Sequence, residues 1–285
     1  MRRIQAAGVL LALAMAASAP AYAAVAPAKA PNTVEIEMMT WPELKAAIAA
    51  GKTTALFYTG GTEQRGPQNI IAGHNFIGRQ VVKHIAEKLG NAIALPVLPF
   101  SPANGNAEIP GDIGIPPAVL GPVLEAVSEQ AIANGFKTVV LMGDSGGGQG
   151  PDGVYAEVAK KLSTKHAGKA RVLYADHPYT AARDAFNKIL VERKLPVGQH
   201  GGIQDTSEMM YLETIAGNGE WVRKDQLPNS EGAPVVDGKV QRGPNTPNNG
   251  VTGDARKSSV ELGKLRHEMK VDFAVKQIQA LMAAK

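Results

Sequence analysis

The side chains best suited to chemistry lie in three glycine-rich polar segments, which cover residues 60–75, 143–148 and 200–207. Their carboxylates and imidazoles belong to Glu63, His74, Asp144, His200 and Asp205. Oxygen and imidazole donors of this kind suit zinc, manganese or iron. The chain has no cysteine, so thiolate metal sites, disulfides and thiol nucleophiles are excluded. Any metal site must therefore be built from carboxylates and histidines.

Apolar strands alternate with amphipathic helices along the chain. The patterns predict strands at 53–58, 92–98, 138–142 and 171–175, and helices at 40–50, 77–89, 116–134, 151–162, 179–194 and 258–284. This order is typical of a single α/β domain with a largely parallel central sheet flanked by helices. Because ligands of such sheets bind beyond the carboxyl ends of the strands, we expect the three polar segments to meet there.

The first 23 residues have the features of a secretory signal peptide. Two arginines at positions 2 and 3 precede a short apolar stretch, and a small-x-small cleavage site follows at 21–23. The apolar stretch is too short to span a bilayer of ~30 Å as a helix, although an uncleaved anchor is the alternative interpretation. We expect cleavage before Ala24, a flexible tail over 24–39, a domain over 40–285, and a periplasmic protein without a membrane attachment.

The composition is ordinary for a globular protein, with 44% hydrophobic and 20% charged residues. Lysines and arginines number 30 against 26 aspartates and glutamates, which gives a net charge of +4. Two of those positive charges lie in the predicted signal peptide. A balance so close to zero gives no argument for nucleic-acid binding, and we expect a small-molecule substrate instead.

The three segments, in this order and spacing, resemble the creatininase (creatinine amidohydrolase) family. The family's first motif, Gly-Ser-x-Glu-Gln-His-Gly-Pro-His-Leu-Pro-Leu-x-Thr-Asp, lies without a gap over the segment that ends at His74. Its motifs Asn-Gly-His-Gly-Gly-Asn and His-Ala-Gly-x-x-Glu-Thr-Ser lie over residues 142–147 and 200–207, and residues 250–254 and 261–263 are similar to its C-terminal signature. The resemblance implies the creatininase fold, hydrolysis of a cyclic amide or related C–N bond, and a homo-oligomer, commonly a hexamer.

The resemblance also implies two divalent metals, but this chain departs from the family at most ligand positions. Glu63 keeps its position, whereas the other four positions read Arg65, His74, Asp144 and Asp205. One Asp has become His74 and one His has become Asp144, so Glu63, His74 and Asp144 still supply a three-ligand set with room for water. This divergent member is therefore expected to hold one divalent ion, zinc, manganese or iron.

The remaining site residues receive roles by the same resemblance. A guanidinium has only donors and cannot ligate a cation, so Arg65 is expected to replace the second metal and to pair with Asp205. His200 would carry a proton to the leaving nitrogen, and the backbone of Gly146 and Gly147 would contact the substrate. Two hypotheses follow: a periplasmic metal-dependent amidohydrolase, or a metal-free binding protein or pseudoenzyme in which Arg65 anchors an anionic ligand.

Overall fold

The computed structural model describes residues 31–217 and 219–284. The predicted signal peptide lies outside the described residues. Within the described ranges, no helix is both long and apolar enough to cross a membrane.

A parallel four-stranded sheet forms the centre of the molecule, as predicted. The strands are β1 (Thr54–Thr59), β2 (Ala92–Ala94), β3 (Thr138–Gly143) and β4 (Arg171–Tyr174), and a hairpin is formed by β5 (Val235–Val236) and β6 (Lys239–Val240). The sheet order is β2-β1-β3-β4, and Leu56 in β1 aligns with Ala94 in β2 and with Val140 in β3. The parallel register brings the carboxyl ends of these strands to one edge of the sheet.

Seven helices surround the sheet in the described part of the chain. They are α1 (Trp41–Ala49), α2 (Gly73–Leu89), α3 (Pro117–Ala133), α4 (Val154–Lys165), α5 (Thr180–Glu192), α6 (Ile203–Ala216) and α7 (Val260–Ala283). Leu56 and Tyr58 of β1 pack in one core with α2, α6 and α7, whereas Ala55 and Phe57 pack in a second core with α1, α3 and α4. Both faces of the sheet are covered, which explains why its strands are continuously apolar.

Helix α6 has no counterpart among the predicted helices. Its buried residues are both polar and apolar, so burial does not follow the single apolar stripe by which a helix is recognised in a sequence. They are Ile203, Gln204, Thr206, Ser207, Glu208, Met209, Met210 and Leu212. Its partner α7 continues through Gly263, where the backbone comes so close to the Ser207 carbonyl that a side chain would collide with it. The close crossing of α6 and α7 places their polar residues against the sheet edge.

The predicted flexible tail over 24–39 is corrected for its last residues. Val34 is 7% exposed, and its carbonyl accepts a hydrogen bond of 2.8 Å from the backbone N–H of Ala94. Glu35 is paired with Arg79 of α2 at 2.9 Å. The ordered domain therefore begins several residues before the helix that the sequence predicts as its start.

Candidate active site

A pocket opens at the carboxyl ends of β1 and β3, where the sequence predicts the polar segments to meet. Glu63 lies in the loop after β1, and Asp144 is the first residue after β3. The cavity has a volume of about 440 Å³, and its lining includes Glu63, His74, Asp144, Gly146, Gly147, His200 and Asp205. All the predicted site residues except Arg65 therefore lie around one cavity.

Helix ends hold three of these side chains in place. His74 is the second residue of α2, His200 precedes α6, and Asp205 lies in the first turn of α6. The Asp205 carboxylate accepts a hydrogen bond of 2.8 Å from the backbone N–H of Gly201. An acidic side chain in the first turn is favoured by the positive end of the helix dipole, so this placement follows from local sequence.

His74 links two carboxylates. Its Nδ1 lies 2.7 Å from Asp144 Oδ2, and its Nε2 lies 3.0 Å from Glu63 Oε2. Burial and the charge of Arg65 oppose protonation of the ring, but the hydrogen bonds to both carboxylates prevail and raise the pKa of His74. A protonated ring donates from both nitrogens, which matches the two contacts. His74 therefore fits the role of a cation that fixes two anions.

Glu63 is the more exposed of the two carboxylates that contact His74. Burial acts to raise its pKa, but the hydrogen bond from His74 and the positive charges of His74, His200 and Arg65 outweigh burial and lower the pKa of Glu63. The side chain is 22% exposed. The pocket therefore presents an ionised carboxylate to whatever enters it.

His200 stands beside Glu63. Its Nε2 lies 2.6 Å from the Gln64 carbonyl oxygen, so this nitrogen carries the proton and donates it. Its Nδ1 faces Glu63 Oε1 at 3.4 Å. This orientation leaves Nδ1 as the His200 atom that can exchange a proton with Glu63 or with a bound ligand.

Arg65 and Asp205 form the pair that the sequence predicts. Arg65 Nη2 lies 2.6 Å from Asp205 Oδ1, and Arg65 is 1% exposed. Burial acts to raise the pKa of Asp205, but the Arg65 charge more than offsets it and lowers that pKa. Arg65 does not line the cavity. Arg65 therefore contacts Asp205 from beneath the pocket, and its predicted catalytic role stays a prediction.

Lys270 of α7 is a site residue that the sequence analysis missed. Its Nζ lies 2.5 Å from Asp144 Oδ1 and 2.9 Å from Glu208 Oε2, and Lys270 is 3% exposed. Burial acts to raise the pKa of Asp144 and of Glu208, yet both are lowered because Lys270 lies beside them. One signal was available, since Arg266 and Lys270 lie four residues apart on the stripe of α7 that also carries Leu262 and Ala274.

The donor atoms predicted to hold a metal are engaged with one another. Glu63 and Asp144 both contact His74 directly, and within the described ranges no group of three or more His, Asp or Glu side chains is arranged to hold a metal ion. A catalytic zinc site needs three protein ligands around an open position. The residues present, as arranged, therefore do not fit the divalent ion that the resemblance implies.

Charge gives a second reason for the misfit. The cluster's four carboxylates are those of Glu63, Asp144, Asp205 and Glu208, and they are matched by four cations, namely Arg65, His74, Arg266 and Lys270. Carboxylates in an unoccupied cation site would carry an excess negative charge. Here the carboxylates of the cluster already have cationic neighbours, so the cluster carries no excess negative charge that a divalent cation would compensate.

Gly146 and Gly147 have a steric reason to be glycine. A side chain on Gly147 would collide with the Pro102 carbonyl oxygen, and one on Gly146 would lie 2.5 Å from the Tyr179 hydroxyl. Among the residues described, no acceptor is found for the backbone N–H of either glycine. At these two positions the loop after β3 therefore lines the pocket with backbone, and their contact with a substrate stays a prediction.

His84 of α2 and His267 of α7 contact each other. His84 Nδ1 lies 2.7 Å from His267 Nε2, and His267 Nδ1 lies 3.5 Å from Glu208 Oε1. Burial, followed by the positive charges of His267 and Lys83, lowers the pKa of His84 to about 4. His84 is thus held neutral at pH values where an unfolded chain would protonate it.

We expect the lowered pKa of His84 to make the free energy of unfolding fall as the pH is lowered from 6.5 to about 4. In this range the unfolded chain binds a proton at His84 that the folded chain does not. The variant His84→Gln should lose less unfolding free energy across this window than the wild type, as measured by urea unfolding at each pH. His177→Gln serves as the control. Equal pH slopes for wild type and His84→Gln would contradict the assignment.

Comparison with known proteins decides the family. The family profile "Creatininase: Creatinine amidohydrolase" matches residues 37–278. The chain belongs to the creatininase family. Among curated proteins there is no significant match. The family resemblance drawn from the three motifs is thereby confirmed, and it extends over almost all of the described domain.

Solved creatininase structures share the fold. One titled "Creatininase Mn" is 21% identical, with a TM-score of 0.69, and the match covers 88% of this chain and 100% of that one. A creatininase variant complexed with creatine is 19% identical, with a TM-score of 0.67 and the same coverage. A putative creatinine amidohydrolase from Bacteroides fragilis is 16% identical, with a TM-score of 0.65 and coverage of 90% and 98%. The predicted fold class is confirmed.

Family and fold together support the predicted class, an amidohydrolase of the creatininase type. At this level of identity the structures establish the fold, and the reaction has to be argued from the pocket. Manganese is named for one of those relatives and creatine for another. In this member of the family, arginine and lysine side chains lie among the carboxylates instead.

Proposed function

We propose that this creatininase family member is a periplasmic hydrolase that cleaves a C–N bond of a small cyclic amide, with Glu63 and His200 in place of a bound metal. The observation that carries the proposal is the contact of 3.4 Å between Glu63 Oε1 and His200 Nδ1 at the cavity wall. An ionised carboxylate beside an imidazole can take a proton from water and pass it on.

The reaction needs a base, donors for the developing oxyanion, a proton donor for the leaving group and a side chain that aligns the base. The pocket offers residues for each role. Glu63 accepts a proton from a water molecule whose oxygen forms the new bond to the amide carbon. The N–H groups of Gly146 and Gly147 donate to the amide oxygen as negative charge develops on it. His200 Nδ1 relays the proton to the leaving nitrogen as the C–N bond breaks. His74 keeps Glu63 ionised and aligned.

The location and the assembly belong to the proposal as well. The basic start, short apolar stretch and small-x-small site at the N-terminus support export to the periplasm. The relative that binds creatine supports a small-molecule ligand of similar size. A homo-oligomer is proposed from the family resemblance alone.

A second candidate is a binding protein without turnover. It is favoured by the lowered pKa of Glu63, because a carboxylate of low pKa is a weak base toward water. Arg65 and Lys270 also form buried ion pairs with Asp205 and Asp144, and such fixed pairs suit a rigid binding pocket. In this case the same pocket takes the same ligand and releases it unchanged.

A panel of cyclic amides, imides and lactones, tested on protein of measured metal content, decides between the two. We expect Glu63→Gln to lower kcat/KM by about 10²–10⁴-fold with little change in melting temperature, because it removes the base but keeps the shape. Glu157→Gln, an exposed position on α4, is the matched control and should leave kcat/KM unchanged.

Three outcomes separate the hypotheses. Turnover that survives a chelator and needs Glu63 supports the proposal. Turnover that a chelator abolishes and that zinc, manganese or iron restores would establish the metal-dependent hydrolase instead. Stoichiometric binding without turnover identifies the second candidate.

A further inference from the structure

Arg266 is a buried guanidinium at the pocket that donates no hydrogen bond to any described residue. It is 4% exposed, lines the cavity, and leaves Nε and Nη1 without a partner. A guanidinium carries five N–H donors, and leaving donors unmade in a buried place is costly. A donor group of this kind calls for an acceptor that the described chain does not supply.

The nearest carboxylate is already taken. Glu208 Oε2 lies 3.9 Å from Arg266 Nε, beyond hydrogen-bond distance, and lies 2.9 Å from Lys270 Nζ. The other close neighbour is the Phe186 ring, whose centroid lies 5.7 Å from Arg266 Cζ. Glu208 therefore offsets part of the charge of Arg266 without accepting a hydrogen bond from it.

Further donors lie around the same cavity. Arg183 also lines it, and its Cζ lies 5.0 Å from the centroid of the Tyr179 ring, a stacked placement that leaves the side chain 38% exposed. The unpaired N–H groups of Gly146 and Gly147 belong to the same lining. Donor groups at this cavity thus come from three separate elements, α7, α5 and the loop after β3. Of these, Arg183 also has a carboxylate neighbour of its own, with 3.5 Å between its Nε and Asp184 Oδ1.

We infer that Arg266, assisted by Arg183, binds a carboxylate group of the ligand. A planar carboxylate matches the fork of a guanidinium and carries a single negative charge. A phosphate dianion fits less well because Glu63, Asp112 and Asp205 line the same cavity and would repel its second charge. The substrate class becomes a small cyclic amide that bears a carboxylate, where the amide part rests on the proposed function.

The test uses sodium acetate as the probe, because it isolates the carboxylate from the rest of the ligand. In 100 mM acetate we expect the wild-type melting temperature to rise by about 3 °C above its value in sodium chloride of the same ionic strength. Acetamide, the neutral isostere, should cause no rise. Arg266→Gln should lose the acetate effect, and Arg193→Gln, an exposed position, should keep it.

Several results would overturn the inference. These are equal melting temperatures in acetate and chloride, an equal acetate effect in Arg266→Gln, or a larger effect from phosphate than from acetate. The wild-type comparison of acetate, acetamide and chloride stands by itself if Arg266→Gln fails to fold. Since the readout needs no turnover, acetate binding through Arg266 without hydrolysis of any amide would retain this inference and reject the proposed reaction.

Discussion

Replacing Lys270 by methionine is expected to lower the free energy of unfolding by about 3–5 kcal/mol, because it leaves two buried carboxylates without their shared cation. Lys270 Nζ contacts Asp144 and Glu208 at 2.5 and 2.9 Å, and all three residues are at most 3% exposed. Methionine keeps most of the length of the lysine side chain, so the loss reports the charge more than a cavity. Urea unfolding at pH 7 measures the effect.

The matched control is Lys276→Met, an exposed position on the same helix, where the change should be within about 0.5 kcal/mol. The double variant Lys270→Met with Asp144→Asn should recover part of the loss, since it removes one of the uncompensated charges together with the cation. A loss below about 1 kcal/mol for Lys270→Met would show that Lys270 does not hold the cluster together.

Replacing Arg65 by methionine is expected to cost about 3 kcal/mol, the lower end of the range for breaking a buried pair, because Asp205 stays 19% exposed and keeps some solvation. The guanidinium is buried beneath the pocket, and its contact with Asp205 is 2.6 Å long. Without it, Asp205 retains only the Gly201 N–H as a partner among the contacts described above. Thermal and urea unfolding both report the change.

A surface pair provides the comparison. Arg193 lies 3.0 Å from Glu261, with side-chain exposures of 44% and 77%, so Arg193→Met should cost less than about 1 kcal/mol. Equal effects at the two positions would mean that Arg65 behaves as a solvated side chain. They would also remove the argument that Arg65 supplies a fixed positive charge to the site.

Much of the fold follows from patterns within short stretches of sequence. The buried strands Thr54–Thr59 and Thr138–Gly143 appear as continuous apolar runs, and helix Trp41–Ala49 begins where the Glu43 carboxylate accepts from the Thr40 N–H at 2.7 Å. These signals are local, because each depends on residues a few positions apart. Helix α6 escaped prediction because polar and apolar residues share its buried positions and give no single apolar stripe.

Part of the site could also be predicted from such local signals. Glu63 and Asp144 follow strand ends, and Asp205 follows a glycine pair, which are positions where parallel sheets gather polar side chains. The Arg65–Asp205 pair was predicted from charge and family position, and it is present at 2.6 Å. What the site residues do together was not predicted, since Glu63, His74 and Asp144 were expected to hold a metal, whereas in the structure His74 bridges the two carboxylates.

The sequence alone determined the parallel α/β domain, the family, and the edge of the sheet at which polar groups meet. Only the tertiary structure revealed that Lys270, Glu208 and Arg266 belong to the site. Lys270 meets Asp144 across 126 positions of the chain, and no spacing rule connects residues so far apart. A lysine or arginine on a helix is usually solvated, so its type indicates a surface position. Close packing of α7 on α6 reverses that expectation by removing water from these cations and leaving carboxylates as the partners of Lys270.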